Sequence, residues 1–124
     1  MVSKTDLVIG LLVLIAGAII YEFAPGGVLF MGGTAHATTH YVGSALALLF
    51  GVIGLAIYKK LSMVGLTVSV LSIVLGLVFL FDAPGMVLYT MLKPHGMAMQ
   101  AIGGVTVLVG LLGMVGSAVI KPKK

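Results

Sequence analysis

A seven-residue segment of this chain occurs twice, and each copy lies between two long apolar runs. The copies read APGGVLF at residues 24–30 and APGMVLY at residues 83–89, and they lie fifty-nine residues apart. A gap-free alignment at this offset also pairs His36 with His95. Proline lacks an amide hydrogen and glycine tolerates positive φ, so a Pro-Gly pair ends a helix and begins a turn. The pattern predicts a duplicated unit of two apolar helices joined by a Pro-Gly loop.

The composition argues against a water-soluble domain. Hydrophobic residues make up 60% of the 124 residues, charged residues only 8%, and the mean hydropathy is +1.28. A helix needs about 20 mainly apolar residues to cross a hydrocarbon core that is ~30 Å thick. We therefore predict an all-α membrane protein with four transmembrane helices, built from two tandem parallel-repeat hairpins at residues 1–60 and 61–124. The predicted spans are residues 7–23, 41–58, 61–81 and 96–120.

The lysines predict the orientation of this four-helix bundle. Basic residues in short loops are normally retained on the cytoplasmic side. With four spans, Lys93 alone falls on the side of the Pro-Gly loops. We therefore expect both termini in the cytoplasm and both Pro-Gly loops outside the plasma membrane. A nucleic-acid partner is excluded because basic residues occur only at the flanks of the spans. The lysines expected on the inner side are Lys4, Lys59, Lys60, Lys121, Lys123 and Lys124.

Both Pro-Gly loops are unusually apolar for segments outside the hydrocarbon core. Loops of this kind lie among lipid headgroups, fold back onto the bundle, or are covered by other integral membrane subunits. The third possibility makes the loops a candidate partner surface. Its residues are Pro25, Gly26, Phe30, Pro84, Gly85 and Tyr89.

Small residues recur at helical spacing within the spans. In lipid, helices associate where small side chains let their backbones approach closely. These residues either hold the four helices together or leave additional surface for other chains. The predicted helix-packing residues are Gly43, Ala47, Gly51, Gly65, Ser69, Gly76, Gly110 and Gly113.

Acidic residues are few, and Asp6, Glu22 and Asp82 all fall at predicted span ends. We expect water or headgroups to solvate all three carboxylates. A proton-coupled transporter normally needs an ionisable group within the membrane, so a small oligomeric transporter or channel is the least favoured function. The chain also lacks the sequence motifs of P-loop, serine-nucleophile and zinc-protease sites. Whether it is an enzyme stays open, and the composition favours a non-catalytic subunit.

Histidines and methionines near the Pro-Gly loops form the most specific chemical pattern. Imidazole binds copper, zinc and haem iron, and thioethers favour Cu(I). If the second helix begins near His36, then His36 and His40 lie one turn apart on one face. A pseudo-twofold axis would bring His95 beside them, which predicts a copper or haem site. The alternative is that the histidines cap helix starts and the methionines fill gaps in the core. The methionines concerned are Met31, Met91, Met97 and Met99.

These features together favour a small accessory or structural subunit of a larger membrane complex. Energy-converting or oxidising assemblies are the expected hosts, such as a respiratory complex or a copper-dependent membrane monooxygenase. The expected partners are the lipid bilayer and other integral membrane subunits. The alternative function is a metal-binding or haem-binding redox module that uses His36, His40 and His95.

Overall fold

Four long helices form the computed structural model, which describes residues 4–30, 35–61, 63–83, 86–88, 91 and 95–119. All four are long and apolar enough to cross a membrane. No strand occurs within those described ranges. The predicted all-α class and the number of membrane-length helices are therefore confirmed. The helices are α1 (Lys4–Phe23), α2 (His36–Ala56), α3 (Met63–Phe81) and α4 (His95–Val119), with a short 3-10 helix at Tyr58–Lys60 between α2 and α3.

Helix α2 extends beyond its apolar run. It begins at His36, whereas the span predicted from hydropathy begins at Tyr41. The additional turn is polar, and the hydroxyl of Thr39 donates a hydrogen bond to the carbonyl of His36 at 2.6 Å. Hydropathy does not register such a turn, although its backbone continues the helix. As a result, both histidines of this segment lie on a helix rather than in a loop.

The helices pack as two antiparallel pairs. Helix α1 packs most extensively against α4, and α2 against α3. In the first pair, Gly17 lies against the backbone of Thr106. In the second pair, Gly51 lies against the carbonyl of Ser69. Contacts of α1 with both α2 and α3 join the two pairs into one bundle.

One end of the bundle collects the described lysines, and the other collects the loops. The carboxylate of Asp6 lies against Gly65, so α1 and α3 begin at the same end. We call this the lysine end, because Lys4, Lys59 and Lys60 belong to it. The opposite end, which carries the connections after α1 and after α3, is the loop end.

Two clusters of buried apolar residues fill the bundle. The cluster near the loop end contains Ile20, Phe79 and Met99, and the cluster near the lysine end contains Ile9 and Val68. The helix surfaces that face outward are apolar as well, which suits contact with lipid tails. All of the predicted helix-packing residues are buried within this bundle, and they are Gly43, Ala47, Gly51, Gly65, Ser69, Gly76, Gly110 and Gly113.

Candidate functional site at the loop end

Polar side chains cluster at the loop end of the α2/α3 pair. The polar cluster consists of His36, His40, Asp82 and the backbone carbonyl of Phe79. His40 and Asp82 are both 0% exposed. Burying polar groups is costly unless they are hydrogen-bonded or paired. The cluster is therefore the part of the bundle whose chemistry most needs a functional explanation.

The end of α3 provides the acceptor for His40. Ala83 N–H donates to the carbonyl of Leu80 at 3.1 Å, which tightens the last turn. The carbonyl of Phe79 then accepts a hydrogen bond from Nδ1 of His40 at 2.8 Å. Because a carbonyl can only accept, Nδ1 carries the hydrogen, and Nε2 carries the lone pair whenever the ring is neutral. The imidazole also stacks on the Phe79 ring, with centroids 4.3 Å apart.

The rings of His36 and His40 lie together. Their centroids are 5.0 Å apart in an edge-to-face arrangement, as expected for positions one helical turn apart. Phe30 of the first loop contacts the outer side of His36, with ring centroids 6.1 Å apart. The pair therefore extends from the buried end of α3 to the first loop.

Asp82 follows the last residue of α3 and is fully buried. Its amide still continues the helix, donating to the carbonyl of Val78 at 3.0 Å. Burial raises the pKa of the Asp82 carboxyl from 3.8 to about 7, while the nearby charge of His36 lowers it. Desolvation penalises the charged carboxylate, and the imidazolium favours it. This carboxyl therefore changes its protonation state near neutral pH.

The expectation that all three carboxylates are solvated is wrong for Asp6 and Asp82. Asp6 is enclosed because the first turns of α1 and α3 meet around it, at Gly65. Asp82 is enclosed at the loop end of the α2/α3 pair. Glu22 is half-buried, and its Oε1 accepts a hydrogen bond from the amide of Val28 at 2.8 Å. A position at the end of a span therefore does not ensure that a carboxyl group is exposed, because helix packing buries two of these three acidic side chains.

The predicted metal site is described only in part. His95 is the first residue of α4, but its side chain lies outside the described part of the chain. Among the described residues, no group of three or more His, Cys, Asp or Glu side chains is placed to hold a metal ion. Met99 is buried in the core, whereas Met91 and Met97 are exposed. The copper or haem site at His36, His40 and His95 stays a prediction.

The first loop is held by its own backbone. Gly27 N–H donates to Ala24 O at 2.9 Å, and Leu29 N–H donates to Glu22 O at 3.0 Å. Gly26 has a φ of 91°, which L side chains rarely adopt. Of the predicted partner surface, Pro25, Gly26 and Phe30 are exposed, and Pro84, Gly85 and Tyr89 lie outside the described residues.

Sequence reasoning did not identify the functional potential of Asp82 or of the Phe79 carbonyl. One signal for Asp82 was available, because the position fifty-nine residues before it is Phe23. A carboxyl at a position that aligns with a large apolar side chain indicates that the two aligned segments differ. Which side chain bonds to a carbonyl in the last turn of a helix cannot be read from the sequence.

Comparison of the chain with protein-family models, curated protein sequences and solved structures finds no match. Function is therefore inferred from the geometry of the molecule.

Proposed function

We propose that this chain is a small, non-catalytic subunit of a larger membrane complex and binds other integral membrane subunits through its two loops. The observation that carries the proposal is the exposure of apolar side chains beyond the helix ends. Val28 is 89% exposed, and Val87 and Met91 are each 70% exposed. Lipid tails solvate apolar residues along the helices, but loops past the helix ends reach the headgroup region. Exposed apolar patches there commonly mark protein interfaces.

The loops are built to present these side chains outward. In the second loop, Met86 N–H donates to Ala83 O and Leu88 N–H donates to Phe81 O, both at 2.9 Å. These bonds match those of the first loop at positions fifty-nine residues apart. Each turn places an exposed valine at its tip, Val28 in one and Val87 in the other. A defined turn loses little conformational entropy on binding, which favours association.

Duplication of the helical hairpin is part of this proposal. Helix starts at Lys4 and His36 recur fifty-nine residues later, at Met63 and His95. The glycine contacts recur at the same offset. Gly51 meets Ser69 and Ile73, as Gly110 meets Gly10 and Leu14. Matched helix pairs of this kind are expected from two parallel repeats about an axis along the membrane normal.

The proposed orientation places the lysine end in the cytoplasm and both loops outside the plasma membrane. The lysine end carries Lys59 and Lys60 in the exposed turn between α2 and α3. Positive residues in a short loop resist translocation. The apolar loops would then meet partner subunits at the outer surface, where an energy-converting or oxidising complex is the expected host.

Site-specific photo-crosslinking in the native membrane tests the partner surface. A photoreactive residue at Val28 or Val87 should crosslink to larger membrane proteins, because both side chains point away from the bundle. The matched control is Tyr58, which is also exposed but lies at the lysine end. Crosslinks that are equally abundant at Tyr58, or a chain that stays a lone monomer at every position, would contradict the proposal.

A second candidate function is metal or haem binding at the loop end. It is favoured by the bond from His40 Nδ1 to the Phe79 carbonyl, at 2.8 Å. Histidines that bind metals usually donate their other ring N–H to a carbonyl or carboxylate, which orients the ring. His36 lies beside His40, and the backbone of His95 begins α4 at the same end. Imidazole ligands suit copper, zinc and haem iron.

Metal analysis and visible absorbance of the detergent-purified protein test this second function. Near-stoichiometric copper, zinc or iron should be found in the wild type and lost in His36→Ala and His95→Ala. Tyr41→Phe is the matched control, because Tyr41 is an exposed residue in the same part of α2. A wild type without bound metal or haem rules the second function out and leaves the first untouched.

A further inference from the structure

Two apolar grooves flank a single ridge on α3 at the lysine end. The ridge consists of Met63, Thr67 and Leu71, which line both grooves. One groove, of about 360 Å³, lies between α3 and α4, and the other, of about 270 Å³, is a surface depression lined by α3 residues on the opposite side of the ridge. The remaining lining residues are Val64, Val68, Val109, Leu112 and Gly113 in the first groove, and Leu66 and Val70 in the second.

Helical geometry explains why the grooves are paired. Met63, Thr67 and Leu71 are spaced four residues apart, so they align along one face of α3. Their Cα positions extend over ~12 Å of helix, since each residue adds about 1.5 Å. One leaflet contributes roughly 15 Å to the hydrocarbon core. The two grooves therefore run side by side through most of one leaflet.

Positive charge lies directly before the ridge. Lys59 and Lys60 are exposed on the short 3-10 helix that precedes α3. Lys60 N–H donates to Ile57 O at 2.9 Å, which fixes the turn against the end of α2. Basic residues at the membrane surface beside a cleft between spans are a typical binding site for anionic headgroups.

We infer that this surface binds one anionic phospholipid with two acyl chains. The phosphate would contact Lys59 and Lys60, and one chain would lie in each groove. Two apolar grooves on either side of a ridge fit two chains joined at one headgroup. The exposed lysine pair beside the grooves favours a phospholipid over an apolar partner helix, because a phosphate can pair with Lys59 and Lys60. The lysine pair selects an anionic headgroup over a zwitterionic one.

Native mass spectrometry of the full chain with added lipid tests this inference. Phosphatidylglycerol should bind more tightly than phosphatidylcholine with the same chains. Replacing both lysines, Lys59→Gln with Lys60→Gln, should weaken phosphatidylglycerol binding by roughly 30-fold, since each surface lysine is worth about fivefold in affinity. Lys4→Gln is the matched control because Lys4 lies at the same end but on α1, and it should leave the affinity unchanged.

A second variant tests the grooves without changing charge. Leu112→Trp should fill the groove between α3 and α4 and weaken binding of both lipids. Leu111→Trp, on the same helix but outside both grooves, should not. Equal affinity for the two lipids, no effect of the lysine changes, or binding of glycerol phosphate as tight as that of phosphatidylglycerol would each overturn the inference. Thermal melting of every variant identifies any loss caused by misfolding.

Discussion

The α1/α4 and α2/α3 pairs share glycine contacts at matching positions but differ at the loop end. In the α2/α3 pair, His40 and Asp82 are buried beside Phe79. At positions fifty-nine residues away, the α1/α4 pair has Met99, Phe23 and Ile20. These three belong to the apolar core cluster, which also includes Phe79. Similar glycine contacts therefore accompany a polar loop end in the α2/α3 pair and an apolar loop end in the α1/α4 pair.

This difference bears on function because burying polar groups costs free energy that an apolar filling avoids. Met99 occupies the position equivalent to His40 and is buried equally well. Helix packing alone therefore does not require an imidazole there. The polar cluster is a specialised feature of one helix pair, and the glycine contacts are common to both.

The largest expected effect concerns the shared glycine contacts. Gly110→Val and Gly51→Val should both destabilise the bundle strongly. A Cβ at Gly110 would press on the carbonyl of Gly10 at 2.6 Å, and one at Gly51 on the carbonyl of Ser69 at 2.7 Å. Overpacking typically costs about 1–3 kcal/mol, and backbone neighbours cannot move aside as side chains do. Thermal denaturation in detergent, followed by circular dichroism, measures the loss.

Gly104→Val is the control for this pair of variants. No described atom lies within 4 Å of the position its Cβ would take, so its melting temperature should stay near that of the wild type. The equivalence of the two helix pairs would be contradicted if only one of Gly51→Val and Gly110→Val lowered the melting temperature.

A smaller effect, the dependence of the melting temperature on pH, should come from the polar loop end of the α2/α3 pair and not from the apolar loop end of the α1/α4 pair. The pKa of Asp82 rises from 3.8 to about 7 on folding because burial disfavours the carboxylate. The folded state therefore holds this proton more tightly than the unfolded state. The stabilising contribution of the proton on Asp82 is complete below about pH 4 and is lost as the pH rises through about 7. The melting temperature should fall across this range and level off above it.

Asp82→Asn should flatten this profile, because the amide is nearly isosteric and does not titrate. Above neutral pH the variant should melt at a higher temperature than the wild type. A pH profile that Asp82→Asn leaves unchanged would show that another group causes it.

The hydrogen bond of His40 should contribute less to thermal stability than the glycine contacts or the protonation of Asp82. His40→Met copies the residue found at position 99 and removes the donor to the Phe79 carbonyl. Leaving a buried acceptor unpaired costs about 1–3 kcal/mol, and the apolar contacts of methionine offset part of this. Thermal melting should show a moderate loss. Met99→Leu is the matched control at the loop end of the α1/α4 pair, and it should cost less because it conserves volume. An unchanged melting temperature in His40→Met would mean that the loop end of the α2/α3 pair does not depend on this imidazole for its stability.

The smallest effect is expected in the first loop. Glu22→Ala removes the acceptor for the Val28 amide, and because this bond is exposed to solvent we expect a loss of about 0.5 kcal/mol. Glu22→Gln keeps an acceptor oxygen and should behave like the wild type. Phe81, whose side chain cannot accept this bond, lies fifty-nine residues later, and backbone bonds from Met86 and Leu88 hold the described part of the second loop. Equal melting of Glu22→Ala and Glu22→Gln would show that the side chain does not support the loop.

Much of the fold was predictable because it follows from hydropathy and helix-breaking residues. The number of helices, the turn at Lys59 and Lys60 and the burial of residues such as Gly51 and Gly110 follow from such local signals. The span predicted from hydropathy begins at Tyr41, whereas α2 begins at His36, because a polar turn can continue a helix.

Much less of the candidate site was predictable. The spacing of His36 and His40 predicts their proximity, since one helical turn separates them. The contact between His40 and the Phe79 carbonyl joins residues thirty-nine positions apart and depends on how α2 meets α3. The burial of Asp82 has the same origin, because a charge at a helix end is solvated or enclosed according to what packs over it.

The amino-acid sequence alone determined that this chain forms four membrane-length helices, with Lys4, Lys59 and Lys60 at the end opposite the connections after α1 and α3. Those properties depend on residues close together in the chain, through helix geometry and the cost of placing charge in lipid. The tertiary structure alone decided which helices pair, that the loop end is polar in the α2/α3 pair and apolar in the α1/α4 pair, and that two grooves flank Met63, Thr67 and Leu71. These depend on which faces of distant segments meet, because burial, hydrogen bonding and pKa are set by the neighbours that packing provides.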